Sequence, residues 1–155
     1  MLAPDPGLVS VAVKAIIPRE GKILLLRRRG DDDTDGGLWE IPGGRMLFGE
    51  EPHRALAREV AEETGLKLAK MGAPAAVWTF MAGKRRQVVG ITFFCTCRRG
   101  KVRLSVEHTG FRWAGAADMR ILAMHPALRA ELQGFFDADR RGAARSPRLA
   151  NKLLA

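Results

Sequence analysis

The sequence predicts a mixed α/β (α+β) fold, with a mixed β-sheet held between helices. Three observations predict it. Val- and Ile-rich runs with loose two-residue alternation recur along the chain, and two longer segments instead carry apolar residues at helical spacing. Gly, Pro and charged clusters punctuate the boundaries between them. At 155 residues the chain is long enough for one domain with a real core, expected over 1–142, followed by a basic tail at 143–155.

The elements follow in order. "LVSVAVKAII" reads as a strand over 8–17, and after the turn "REG" the run "KILLLRR" reads as a second at 22–28. "RGDDDTDGG" is an acidic loop, and "LWEIPGG" is a short extended piece ended by Pro42, Gly43 and Gly44. "GEEPHRALAREVAEETG" is helical, with Pro52 suited to the first turn, Gly65 to the C-terminal stop, and Leu56 and Val60 on an apolar stripe. "APAAVWTFMAGKRRQVVGITFFCTC" reads as two strands around the hairpin "AGKR". "VRLSVEHTGFRWA" is expected to give a further strand and a loop, with Glu107 just past the strand. "AADMRILA" and "HPALRAELQGFFDADRR" close the domain as helices, the latter with Leu128, Leu132, Phe135 and Phe136 on one face.

Bulk properties narrow the function classes. No apolar run approaches the roughly 18–20 residues of a membrane span, and the first residues lack the basic start of a signal peptide, so a cytoplasmic location is expected. Cys95 and Cys97 stand two apart on a strand, a poor disulfide pair with no zinc partners, and read as free thiols. The formal net charge of +9 points to an anionic partner. Few aromatics accompany the basic clusters, so the composition offers no stacking platform for nucleic acid, and any such binding falls to the tail arginines.

One feature runs against that charge. "REVAEETGL" puts Glu59, Glu62 and Glu63 within five residues at the C-terminal end of a helix, where unpaired carbonyls already repel anions. All three project from one arc of roughly 100°. Either the arc is a solvated acidic face paired with Arg54, Arg58 and Lys67, or a hard divalent cation, Mg²⁺ or Mn²⁺, belongs there.

The surrounding residues decide between these. From Gly44 the chain reads Gly, five residues, Glu50, seven residues, then Arg58-Glu59-Val60-Ala61-Glu62-Glu63-Thr64-Gly65-Leu66. This resembles the Nudix box, the signature of the Nudix hydrolases, at every specified position. "LWEIPGG" resembles the usual approach to that motif, and the order of elements resembles the family's α/β/α sandwich. The resemblance implies hydrolysis of a pyrophosphate bond in a nucleoside diphosphate-linked small molecule, with Mg²⁺ or Mn²⁺ as cofactor. It implies Glu59, Glu63 and the Gly44 carbonyl as metal ligands, and Glu62 as a further ligand or as the residue orienting the metal-bound water. It also implies that Arg58 pairs with Glu50, while Gly43 and Gly65 serve the backbone of the motif. Glu107 lies in a segment resembling the family's acidic, Trp-containing loop, and is a candidate metal ligand or general base as well as a plain surface acid. His108 beside it is either a titrating group or a hydrogen-bonded structural histidine. Arg28, at the end of the second strand, is a candidate phosphate contact, with a solvated strand end as the alternative. An RNA 5′-pyrophosphohydrolase or decapping-type enzyme and a non-catalytic nucleotide sensor are the competing functions. Dimers are frequent in the family, so a homodimer is compatible with the resemblance.

Overall fold

The structure, a computed structural model, describes residues 7–31 and 36–142. The basic tail at 143–155 and part of the acidic loop lie outside the described residues. The elements in chain order are β1 (Leu8–Ile16), β2 (Pro18–Arg19), β3 (Lys22–Arg28), β4 (Trp39–Glu40), β5 (Gly43–Arg45), α1 (Pro52–Thr64), β6 (Leu68–Met81), β7 (Arg86–Cys97), β8 (His108–Ala114), a 3₁₀ turn (Ala116–Arg120) and α2 (Pro126–Arg140).

The strands form two sheets. One is mixed, in the order β5-β1-β7-β6, with β1 parallel to β7 and antiparallel to β5. In the other, β3 pairs antiparallel with β2, β4 and β8. Strand alternation sends side chains to opposite faces. Val13, Ala15, Leu24 and Leu26 join Ala55, Leu56 and Val60 of α1 in one core, while Ile16, Ile23 and Leu25 join Leu132, Phe135 and Phe136 of α2 in another. The strands therefore lie between the two helices, and the α+β class read from the sequence holds.

Two expectations need correction. β6 begins at Leu68 rather than near Ala73, and its register against β7 shifts around Gly72 and Pro74. β6 is an edge strand, where a proline that cannot donate to the ladder is tolerated. The strand expected before Glu107 is absent: residues 101–107 are irregular and β8 starts at His108, so Glu107 precedes a strand instead of following one. Val102 and Leu104 do face the core. The backbone N–H groups of Arg103 and Ser105, however, donate to Thr64 and Glu63 carbonyls at the end of α1 instead of to a strand.

Candidate metal and substrate site

That capping answers half of the puzzle of the acidic helix end. Gly65 adopts φ 68°, a left-handed conformation that glycine reaches without strain, and its N–H donates to Ala61 O. Arg103 N–H reaches Thr64 O at 2.8 Å and Ser105 N–H reaches Glu63 O at 3.3 Å. Terminal carbonyls of α1 are thus taken up by a segment that leads directly to Glu107, which fixes the Glu107 turn to the helix bearing the acids.

β5 runs beside the same helix end. The Gly43 N–H donates to Glu63 Oε2 at 2.8 Å. A Cβ on Gly44 would sit 2.6 Å from the Glu59 carboxyl carbon, so the Glu59 carboxyl rests directly on the Gly44 backbone. A Cβ on Gly43 would lie 2.2 Å from Val13 O, and its φ is 129°. Gly43 excludes a side chain, and a side chain at Gly44 would displace the Glu59 carboxyl. Two successive glycines therefore bring the Gly44 backbone, Glu59 and Glu63 together.

Arg58 holds this arrangement from the outside. Its Nε and Nη2 donate to the two oxygens of Glu50 at 2.9 Å each, Nη2 also reaches Arg45 O at 3.1 Å, and Nη1 reaches Glu59 Oε1 at 2.8 Å. Such a two-pronged pair fixes direction as well as distance. The Arg58 hydrogen bonds hold the Glu50 carboxyl down at about 2. Glu62 lies at the rim, its side chain 59% exposed and 3.4 Å from Arg58.

On the inner side of Glu63 is a network that the motif does not announce. Glu40 Oε2 accepts from Lys14 Nζ at 2.8 Å, and Glu40 Oε1 lies 3.0 Å from Arg28 Nη1 and 3.1 Å from His108 Nε2. His108 is buried, with Nδ1 3.5 Å from Ser105 Oγ and Nε2 4.0 Å from Glu63 Oε1. Glu40, Glu63 and His108 offer ligand atoms within 4.8 Å of one another, close enough to share a metal ion. Burial opposes ionisation of Glu40, but Lys14, His108 and Arg28 hold its carboxyl well below the usual range. Burial likewise opposes the Lys14 ammonium, which Glu40 and Glu63 more than offset, so its pKa is raised.

Glu63 goes the other way. Burial pushes its carboxyl up from 4.5 to about 7, Lys14 and the Gly43 N–H pull it down, and Glu40 adds repulsion. A raised acid binds more protons in the folded than in the unfolded state between those two values. The Glu63 contribution to metal-free stability is therefore complete below pH 4.5 and lost as the pH rises through about 7. A cation needs the deprotonated carboxylate, so Mn²⁺ affinity should rise with pH up to about 7 and level off above it. Mn²⁺ titrations at several pH values check this; a flat profile across that range contradicts it.

Arg28, which meets Glu40 on the inner side of Glu63, also shares an adjoining surface with Glu107. The two line an open cleft of about 690 Å³ together with Arg29, Asp31 and Val106. Arg28 is engaged with Glu40, and Glu107 is exposed, its N–H 3.3 Å from Ser105 Oγ and its carbonyl accepting from Arg29 N. Sequence reasoning missed Lys14 and Glu40. A lone lysine within the apolar run of β1 was the available signal.

Comparison with known proteins agrees with the fold. The family model described as the NUDIX domain matches residues 8–135. A MutT-like protein of Streptomyces ambofaciens is 36% identical over 112 residues, which is 72% of this chain and 67% of that protein. The CTP pyrophosphohydrolase of Escherichia coli K12 is 41% identical over 78 residues, covering 50% of this chain and about half, 52%, of that enzyme. The crystal structure of the MutT protein from Methanosarcina mazei Go1 superposes with a TM-score of 0.74 at 30% identity, covering 87% of this chain and 97% of that one. With a complete motif, the matching fold and these relatives, the chain belongs to the Nudix hydrolase family and is an enzyme of that family.

Proposed function

We propose that this hydrolase cleaves a pyrophosphate bond in a nucleoside diphosphate-linked small molecule and uses Mg²⁺ or Mn²⁺ to do so. The observation that carries the reading is the seating of Glu59 on Gly44 and of Glu63 on Gly43. The donor set fits a hard cation: carboxylate oxygens seated on a glycine backbone with no side chain between them. Gly44 O, Glu59 and Glu63 would hold the metal, with Glu62 at the solvent side. When bound, the cation would neutralise charge on the phosphate oxygens and acidify a water. We locate it on the outer side of Glu63, because Lys14 and Arg28 already supply positive charge to Glu40 on the inner side, where His108 Nε2 also lies 3.1 Å from Glu40 Oε1.

The chain's own groups then have separable tasks. Arg58 keeps Glu59 and the Glu50 loop in register. Glu62, exposed at the rim, orients a water or takes its proton, and Glu107, in the cleft lined by Arg28, is the other candidate for that task. Arg28 presents a planar donor fork in the same cleft, suited to a phosphate oxygen. The RNA-directed alternative rests on the tail at 143–155, whose sequence has no aromatic to stack on bases, and relatives are named for small nucleotides, a CTP pyrophosphohydrolase among them, so the small-nucleotide reading is preferred.

A panel of nucleotides tests this. CTP and the other nucleoside triphosphates head it, because one relative is named a CTP pyrophosphohydrolase. At least one compound should be cleaved at a phosphoric anhydride only when Mg²⁺ or Mn²⁺ is added. Failure to cleave any anhydride in the panel with either metal contradicts the proposal.

A further inference from the structure

Lys14 is the one charged residue of β1, and it stands opposite Gly43 in the ladder with β5. Its side chain is 16% exposed, and Nζ donates to Gly43 O at 2.6 Å as well as to Glu40 Oε2 at 2.8 Å. Gly43 is thereby held from both ends: its N–H by a carboxylate, Glu63, and its carbonyl by an ammonium, Lys14. That carbonyl belongs to the planar peptide joining Gly43 to Gly44. Clamping it fixes the plane from which the Gly44 backbone departs. Two adjacent glycines have the widest backbone freedom of any pair, so a precise orientation there has to be imposed by contacts.

We propose that Lys14 is a positioning residue that locks the Gly43–Gly44 backbone so that Gly44 O and Glu63 face one cation. This rests on the metal reading above. Glu40 serves the clamp by neutralising the ammonium and holding it over the Gly43 carbonyl. A lysine that only balanced the Glu40 and Glu63 charges would, when lost, leave the site more negative and metal affinity unchanged or higher.

The test is Mn²⁺ binding to substrate-free protein, followed by the paramagnetic signal of free Mn²⁺, for wild type, Lys14→Met and Lys14→Arg. Lys14→Met should bind Mn²⁺ about tenfold or more weakly, as expected on losing a group that orients a ligand. Lys14→Arg, which keeps a charged donor, should recover most of that affinity. In turnover assays Lys14→Met should lower kcat more than it raises KM. Thermal melts check folding, and if Lys14→Met does not melt cooperatively, Lys14→Gln is read in its place against the same two outcomes. Mn²⁺ affinity equal to or tighter than wild type in the neutral variant overturns the role of Lys14 alone. Absence of Mn²⁺ binding in wild type overturns the metal reading itself.

Discussion

Replacing Glu63 by glutamine should cut kcat/KM by at least about a hundredfold, roughly 2.7 kcal/mol of barrier at 1.36 kcal/mol per decade, while leaving the fold intact. Glutamine keeps an oxygen for the Gly43 N–H and nearly the same volume, so packing at this buried position is preserved. It removes only the charge. In the metal-free protein above pH 7 that charge opposes folding, because burial raises the Glu63 pKa to about 7. The variant should therefore melt no lower than wild type at pH 8 without metal. Millimolar Mg²⁺ should raise the Tm of wild type by mass action and hardly move that of the variant. An equal Mg²⁺ response in both proteins would remove Glu63 from the metal site.

Arg58→Ala should show a different pattern, with losses in both stability and turnover. The side chain ties Glu50, Arg45 O, Glu59 and Glu62 together from a partly exposed position. Without it, Glu50 keeps only the Leu47 N–H among these contacts, and Glu59 is no longer directed onto Gly44. Turnover should fall about tenfold, in the range for groups that orient ligands, and by less than for Glu63→Gln. The Tm should drop by a few degrees. Arg58→Lys should rescue poorly, since an ammonium cannot donate two parallel bonds to Glu50. Full activity in Arg58→Ala would show that the loop and helix hold their geometry without it.

The parts legible in the sequence were those whose determinants are local. Pro52 and Gly65 mark the ends of α1, and the limits of β3 follow from "KILLLRR" between its turns. The acids and Arg58 stand within a few residues on one helix, so their common arc can be read from the helical period. The inner network is different in kind. Glu40 meets Lys14 across 26 residues and His108 across 68, contacts that exist only once β1, β4 and β8 are assembled. Glu40 in "LWEIPGG" carries no sign of burial, and His108 could be read as surface or structural until Glu40 and Ser105 are seen beside it. The irregular 101–107 segment misled for a related reason. Val102 and Leu104 alternate as in a strand, but the partner for that backbone is a helix end, which no pattern within the segment encodes.

The most direct measurement of the central claim is anomalous diffraction from crystals of the protein soaked in Mn²⁺ without substrate. The account predicts a peak on the outer side of Glu63, about 2.1–2.2 Å from Gly44 O and from carboxylate oxygens of Glu59 and Glu63, a spacing close to that for hard oxygen-bound cations. A peak instead among Glu40, Glu63 and His108, displacing Lys14 and Arg28, or no peak at either place, would contradict it.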